Sequence, residues 1–367
     1  MKIIVVAGAR PNFMKVAPIL HSFENRRRAT NNVEIRFVHT GQHYDAKMSD
    51  DFLSDLRIPH PDINLGIGSG SHAEQTSRAM VGFEAVCVAE KPDWVVVVGD
   101  VNSTLACSIS AKKLGIAVAH VEAGLRSMDR SMPEEINRLC TDAISDLLFT
   151  TDTIANDNLY REGIPRQSVH FVGNTMIDTL LQNLPRALET PLPYGVKSDN
   201  YAVLTLHRPS NVDSPDILAS VSSAISELAE TLPVVFPAHP RTRKNLAEFG
   251  LLDRLSHNIS FIDPLSYLPF IGLTARSRMV LTDSGGIQEE TTVLGVPCIT
   301  MRANTERPIT CTVGTNVLVG TDLTRIRAAV NCALSTTTRS GSIPERWDGH
   351  SGERIVAALL NENSFSC

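Results

Sequence analysis

No apolar run in this chain of 367 residues approaches the ~18 residues that a membrane-spanning helix needs. A secretory signal is missing too. The opening MKIIVVAGARPNF has a single Lys, a short apolar stretch and no small-residue cleavage site. These absences predict a soluble, cytoplasmic protein with no membrane partner. Basic charge is scarce: the formal net charge is -6 and the pI near 6.0. That argues against a nucleic-acid binder, which would show a basic face, but permits a local basic pocket for an anionic small molecule. The seven Cys (Cys87, Cys107, Cys140, Cys298, Cys311, Cys332 and Cys367) are odd in number, scattered and without CxxC spacing. Neither a disulfide framework nor a zinc site follows. No HExxH or other close-spaced ligand set occurs, so no catalytic metal is expected. The first strand–helix turn is not GxGxxG, and Gly66-Ile67-Gly68-Ser69-Gly70 follows no predicted strand. Nothing therefore points to a nicotinamide, and no cofactor is expected.

What is present is an ordinary globular composition, 43% hydrophobic and 20% charged, in a chain long enough for two domains. Short Val- and Ile-rich runs alternate with helical patterns. The predicted strands are Ile3–Ala7, Ile35–His39, Trp94–Gly99, Ala117–Glu122, Leu147–Thr151 and Val169–Val172, then Ala202–His207, Val234–Pro237, Ile259–Ile262, Met279–Thr282, Cys298–Met301 and Val317–Val319. The runs are continuous, the mark of parallel strands buried on both faces. Predicted helices include Asn12–Glu24, Glu134–Ser145, Pro215–Glu230, Ile287–Leu294 and Leu323–Leu334. The alternation predicts an α/β protein of βαβ units with right-handed crossovers. The Pro-containing stretch Leu181–Asn200 reads as a linker. The expectation is two Rossmann-like domains with parallel sheets facing a central cleft, spanning 1–172 and 173–349. A C-terminal helix in 350–367 is expected to pack back on the first.

Ligands of open α/β sheets bind beyond the carboxyl ends of the strands. The residues there are Gly8-Ala9-Arg10-Pro11-Asn12-Phe13-Met14-Lys15, Gly99-Asp100, His120-Val121-Glu122, His207-Arg208, Ala238-His239-Pro240-Arg241 and Asp283-Ser284-Gly285-Gly286. Six polar strand ends in two domains imply two polar walls. Ser284, Gly285 and Gly286 open a helix whose N–H groups and dipole suit a phosphate, although a plain helix start reads the same way. Glu290, about one turn in, is placed for ribose hydroxyls. Arg10 and Lys15 suit a diphosphate or a solvated loop equally. Asp100, Glu122 and Glu134 are candidate acid–base groups, since a partly dry cleft drives carboxyl pKa values up and apart. Glu134 and Glu135 also sit where a helix dipole alone favours acids. Arg138 lies one turn beyond Glu134. His207 suits phosphate binding or proton transfer. His39, Gln42 and His43 cluster in a loop after a strand.

Together these segments resemble the non-hydrolysing UDP-N-acetylglucosamine 2-epimerase family over about residues 1–360. The matching motifs are GARPNFMKVAPIL, TGQHYD, GDVNSTLA, HVEAGLRS, MPEEINR, GNTMIDTL, TLHRPSNVD, DPLSYLPF, TDSGGIQEE and MRANTERP. The resemblance implies a glycosyltransferase-B type of fold and a reaction with no redox cofactor or metal. UDP leaves the sugar to give a glycal and adds back with C2 inverted. It further implies Asp100, Glu122 and Glu134 as catalytic carboxylates with His207 assisting. Arg10, Ser284, Gly285, Gly286 and Glu290 would bind UDP, and Lys15, Arg138 and His239 would complete the site. A homodimer and a place in polysaccharide biosynthesis are implied as well.

Three departures from the family pattern stand out. Asn12-Phe13 replaces Glu-Ala, HRPSN replaces HRREN, and Gly41-Gln42-His43-Tyr44-Asp45 stands where many members carry an AQHR loop. In those members the loop belongs to an allosteric substrate site, which makes Gln42 and His43 the candidate allosteric positions. Relatives with TGQHYD include enzymes of diacetamido-uronate sugars, so a UDP-diacetamido-uronate is an alternative substrate. Three rival functions compete with a non-hydrolysing epimerase: a hydrolysing epimerase that releases N-acetylmannosamine and UDP, a glycosyltransferase of the same fold, and a nucleotide-sugar sensor. The sensor would have no use for three carboxylates.

Overall fold

The computed structural model describes residues 1–27, 33–41, 52–193, 196–197, 200–255, 257–335 and 341–360. The chain divides into two compact units, Met1–Gln182 with Glu345–Cys367, and Asn183–Pro344. Each is a doubly wound α/β layer structure.

The first unit carries β1 (Lys2–Ala7), β2 (Glu34–His39), β3 (Ile63–Asn64), β4 (Trp94–Val98), β5 (Ala117–Ala123), β6 (Leu147–Thr150) and β7 (Val169–Phe171). Their order is β3-β2-β1-β4-β5-β6-β7, and every pairing is parallel. Continuous apolar runs dictate this arrangement: Ile3 to Val6 and Val95 to Val98 are buried on both faces of the sheet. One core layer joins Ile4, Val6, Val38, Val95, Val97 and Val118 to Phe83, Cys87 and Cys107. These two cysteines behave as small hydrophobes.

Two first-unit features go beyond the sequence reading. The short strand β3 closes one edge of the sheet, and the helix His72–Glu90 packs beneath. Ser71 caps that helix, accepting from the Glu74 N–H while the Glu74 carboxylate accepts from the Ser71 N–H at 2.8 Å. The loop 66–70 leads directly into this cap.

In the second unit the strands are β8 (Ala202–Thr205), β9 (Val234–Pro237), β10 (Ile259–Ile262), β11 (Met279–Thr282), β12 (Cys298–Thr300) and β13 (Asn316–Leu318). The order β10-β9-β8-β11-β12-β13 is that of a dinucleotide-binding half-fold pair, although the glycine fingerprint is missing. The strand order reverses between β1 and β4 in one unit and between β8 and β11 in the other. Ligands of such sheets sit beyond the strand ends at these switch points.

The boundary between the units, Gln182 to Asn183, falls inside the expected linker Leu181–Asn200, but the structure of that stretch is corrected. Its first half is helical, because the helix Thr175–Glu189 runs through Pro185 and buries Met176, Ile177, Leu180 and Ala187. Its second half is anchored, since Leu192 and Val196 pack on the core around Val203, Val280 and Leu273. Burial of this apolar face overrides the breaker residues. The C-terminal helix Ser351–Leu359 packs on the first helix, Arg10–Arg27. Gly352 lies so close to Pro18 that a Cβ there would stand 2.6 Å from the Pro18 carbonyl oxygen. Among the described residues, no helix is long and apolar enough to cross a membrane.

Candidate active site

In the first unit the polar groups gather around the end of β4. Gly99 has a left-handed φ of 69°, which L side chains seldom adopt. A Cβ there would meet Lys15 Nζ at 2.9 Å, Asn12 Nδ2 at 3.2 Å and Glu122 Oε2 at 3.3 Å. The turn thus leaves room for a buried ion pair: Lys15 Nζ contacts Glu122 Oε2, with side-chain exposures of only 7% and 3%. Asn12, buried in the first turn of the helix, accepts from the N–H groups of Gly8 (3.1 Å) and Ala9 (2.9 Å) and donates to the Val98 carbonyl at 3.3 Å. It therefore ties the β1 turn to the end of β4.

Glu122 itself stands at a break in the β5–β6 register between Val121 and Ala123. Its own φ is 70°. Left-handed non-glycine residues are strained and collect at functional sites.

Asp100 follows Gly99 and is held twice. Its carboxylate contacts Arg138 Nη1, and its carbonyl accepts from Asn137 Nδ2 at 2.9 Å. Arg138 is buried and also reaches Glu135 Oε2 through Nη2 at 2.6 Å and Nε at 2.9 Å. Arg138 lies one turn beyond Glu134, as expected, but its partner on that helix is the next residue. Glu135 at i,i+3 is the partner, because it faces inward from the helix Pro133–Ile144. Its carboxylate also accepts from the N–H groups of Ser127 (3.0 Å) and Met128 (2.9 Å). Burial works against its charge, but these donors and Arg138 outweigh burial and lower its pKa. Glu134 is exposed.

The second unit gathers its groups at the β8–β11 switch point. Thr205 and Thr282 share a hydrogen bond of 2.6 Å at the strand ends. Next to them Asp283 is fully buried. It accepts from the N–H groups of His207 (3.0 Å) and Arg208 (2.9 Å), and its Oδ1 lies 2.8 Å from His207 Nδ1. Burial alone would push the Asp283 carboxyl up, but His207 and the two N–H groups hold it below its ordinary value. The His207 ring is half exposed and is oriented by a buried carboxylate, the usual arrangement of a proton-transfer or phosphate-binding imidazole.

The helix Gly285–Leu294 starts right after Asp283, with Ser284 as its N-cap and no side-chain cap. Its half-buried first turn offers N–H groups and a positive dipole end to an anion. A Cβ on Gly285 would stand 2.7 Å from Arg307 Nη1, so only glycine lets this turn approach the guanidinium. Arg307 belongs to a buried network with Glu289 (2.9 Å from Nε), Glu306 and Arg302. Burial again opposes charge on Glu306, and Arg307 and Arg302 overcome it, holding the carboxyl far below its usual range.

Glu290 is the opposite case. Burial and the neighbouring Glu289 push its pKa to about 8, while the Tyr267 hydroxyl opposes the shift. Its Oε1 is buried without a hydrogen-bond partner among the described residues. A neutral carboxyl with a spare oxygen suits hydroxyl recognition.

The sequence-derived residues thus fall into two clusters, one in each unit. The first unit holds Lys15, Asp100, Glu122 and Arg138, with Glu134 on the same helix as Arg138. The second holds His207, Ser284, Gly285, Gly286 and Glu290. His239 is exposed and caps the helix Pro240–Glu248, its Nδ1 accepting from the Arg241 N–H at 3.3 Å. The side chain of Arg10, together with Gln42 and His43, lies outside the described residues. Sequence reasoning missed Asp283 as the partner of His207, Asn12 and Asn137 as anchors, and the pair Glu306–Arg307. Asp283 and Asn12 stood in segments already singled out, so their positions, directly after β11 and in the first helical turn after β1, were the available signal. No group of three His, Cys, Asp or Glu able to hold a metal occurs among the described residues.

The family model described as UDP-N-acetylglucosamine 2-epimerase matches residues 25–360. The UDP-N-acetylglucosamine 2-epimerase of Methanocaldococcus jannaschii is 45% identical, with 98% of this chain and 99% of that protein covered. A UDP-2,3-diacetamido-2,3-dideoxy-D-glucuronate 2-epimerase of Pseudomonas aeruginosa is 42% identical over 92% of this chain and 93% of its own. The crystal structure of the M. jannaschii enzyme in complex with UDP-GlcNAc and UDP superposes with a TM-score of 0.88 at 44% identity, covering 98% of this chain and all of that one.

Proposed function

The chain belongs to the UDP-N-acetylglucosamine 2-epimerase family, with two parallel-sheet α/β domains of the glycosyltransferase-B type, and we propose that it interconverts UDP-GlcNAc and UDP-ManNAc. The observation that carries this reading is the pair of carboxylates Asp100 and Glu122, fixed around Gly99 and each held by its own cation.

The chemistry demands such a site. The C2 proton of the sugar is not adjacent to a carbonyl and is barely acidic. As the C1–O bond to UDP breaks, oxocarbenium character at C1 acidifies C2–H, and a carboxylate removes the proton to leave a C1–C2 double bond. Re-addition of UDP to C1 and of a proton to the opposite face of C2 gives the epimer, with no net redox change. Asp100, Glu122 and Glu134 are assigned to the proton transfers, with Lys15 and Arg138 fixing the charge of the first two. The departing diphosphate requires a positive, preorganised cradle. Ser284, Gly285, Gly286 and the first turn of their helix are assigned to it, with Arg10, His207 and His239. Glu290 is assigned to the ribose. Gln42 and His43 remain the proposed allosteric positions. We also infer cytoplasmic location and action as a homodimer.

Incubation with UDP-GlcNAc in deuterated water, with no added cofactor, tests the proposal. The expected result is a UDP-linked manno epimer carrying deuterium at C2. Release of free N-acetylmannosamine and UDP identifies the hydrolysing reaction instead. The 42% identity to the diacetamido-glucuronate enzyme supports a second reading with that sugar. Exchange at C2 of the diacetamido-uronate and none on UDP-GlcNAc would select it.

A further inference from the structure

His120 has no solvent exposure and lies two residues before Glu122 on β5. Its Nε2 is 2.8 Å from the Gly99 carbonyl oxygen. A carbonyl only accepts, so Nε2–H is the donor. Its Nδ1 lies 2.6 Å from Asp142 Oδ1. The other oxygen of Asp142 accepts from the Gly124 N–H at 3.0 Å and stands 2.7 Å from Arg126 Nη2. One buried carboxylate therefore holds β5 on both sides of Glu122, through the ring two residues before it and the N–H two residues after it.

Gly99 is fixed from the same strand at both backbone polar groups. Its N–H donates to the Val121 carbonyl at 3.0 Å, and its carbonyl takes the His120 hydrogen. Gly99 is also the residue around which Lys15 and Glu122 pack, and it precedes Asp100. From these contacts we propose that His120 is a positioning residue, acting through the Gly99 carbonyl to set the places of Glu122 and Asp100. The proposal rests on the epimerase reading for those two carboxylates. A small misplacement of a catalytic group costs on the order of 100-fold in rate, so the Gly99 carbonyl is a sensitive lever.

Two substitutions separate the halves of the ring. His120→Gln places an amide N–H near the Nε2 position and keeps a donor for Gly99. His120→Asn places one near Nδ1, keeps the Asp142 contact and abandons Gly99. The expected result is a kcat lower by about 100-fold for His120→Asn, with KM and UDP affinity by calorimetry little changed. His120→Gln is expected to recover most of kcat. Equal kcat losses in both variants that track their melting temperatures would reduce His120 to a structural residue and overturn the proposal. So would full activity of His120→Asn.

Imidazole 15N–1H spectra of the wild-type protein need no substrate. An Nε2–H signal protected from solvent exchange supports the bond to Gly99, and rapid exchange overturns it even if both variants fail to fold. Absence of wild-type C2 exchange on either sugar, with the protected signal present, would sink the epimerase reading and the catalytic role with it while leaving the bond established.

Discussion

Lys15 meets Glu122 inside the first unit with both side chains almost withdrawn from water. Removing one member of such a pair strands a buried charge. Lys15→Met is expected to cost about 3–5 kcal/mol of first-unit stability and to abolish turnover. In Lys15→Met with Glu122→Gln the stability loss should be clearly smaller than the sum of the two single losses, because no charge is stranded. Denaturant unfolding of the four proteins in a cycle measures the coupling, and additive losses would show that the two groups do not share a bond.

Adjacent glutamates on one helix should separate chemistry from structure. Glu134 is exposed, so Glu134→Gln is expected to change stability by less than about 0.5 kcal/mol while lowering kcat about 10²–10⁴-fold. Glu135 is buried against Arg138, so Glu135→Gln is expected to lower the melting temperature markedly. Thermal melts alongside C2 exchange rates check both. A normal rate in Glu134→Gln removes it from the proton transfers.

The strands were legible because parallel sheets bury both faces and so write unbroken Val and Ile runs, such as Val95 to Val98. The polar clusters were legible because Asp100, Glu122 and His207 stand at or just beyond the carboxyl ends of those runs, where open sheets gather polar groups. Which of two neighbouring glutamates turns inward was not legible. Pro133 starts the helix, and its phase is set by Arg138 reaching Asp100, a contact across 38 residues. The helix Thr175–Glu189 hid behind its Pro185 because tertiary burial, not local propensity, decides its length. The second-unit network Glu289–Arg307–Glu306 was hidden because Glu289 lies on the helix Gly285–Leu294 while Glu306 and Arg307 come from a later loop, so only the fold brings them together.

Glu290 gives a pH signature to the second unit. Its folded pKa of about 8 stands above the ordinary 4.5, so the folded protein holds a proton that the unfolded chain releases between those values. The resulting stabilisation is fully present below about pH 4.5 and is lost as pH rises through 8. Glu290→Gln keeps a neutral side chain at every pH. Its melting temperature is expected to fall less steeply than wild type between about pH 5 and 8. Parallel curves for the two proteins would place the Glu290 carboxyl in a more polar setting than its contacts indicate.

Trp347 ties the C-terminal segment to the first unit. The ring is buried, and its Nε1–H donates to the Thr151 carbonyl at 2.9 Å, just past the end of β6. Beyond it, the Gly352 N–H donates to Asp178 Oδ2 at 2.7 Å, and the helix Ser351–Leu359 covers the first helix. That first helix carries Lys15 and Asn12, so the segment supports the polar cluster of the first unit from behind. Trp347→Ala is expected to cost about 3–5 kcal/mol from the cavity, and more if the Thr151 carbonyl is left unpaired. The loss should appear in the first unit, so calorimetry should show its transition moving down while that of the second unit stays in place. If UDP still protects the second unit in this variant while C2 exchange is lost, the division of labour between the units holds. A loss shared equally by both transitions would mean that they unfold as one.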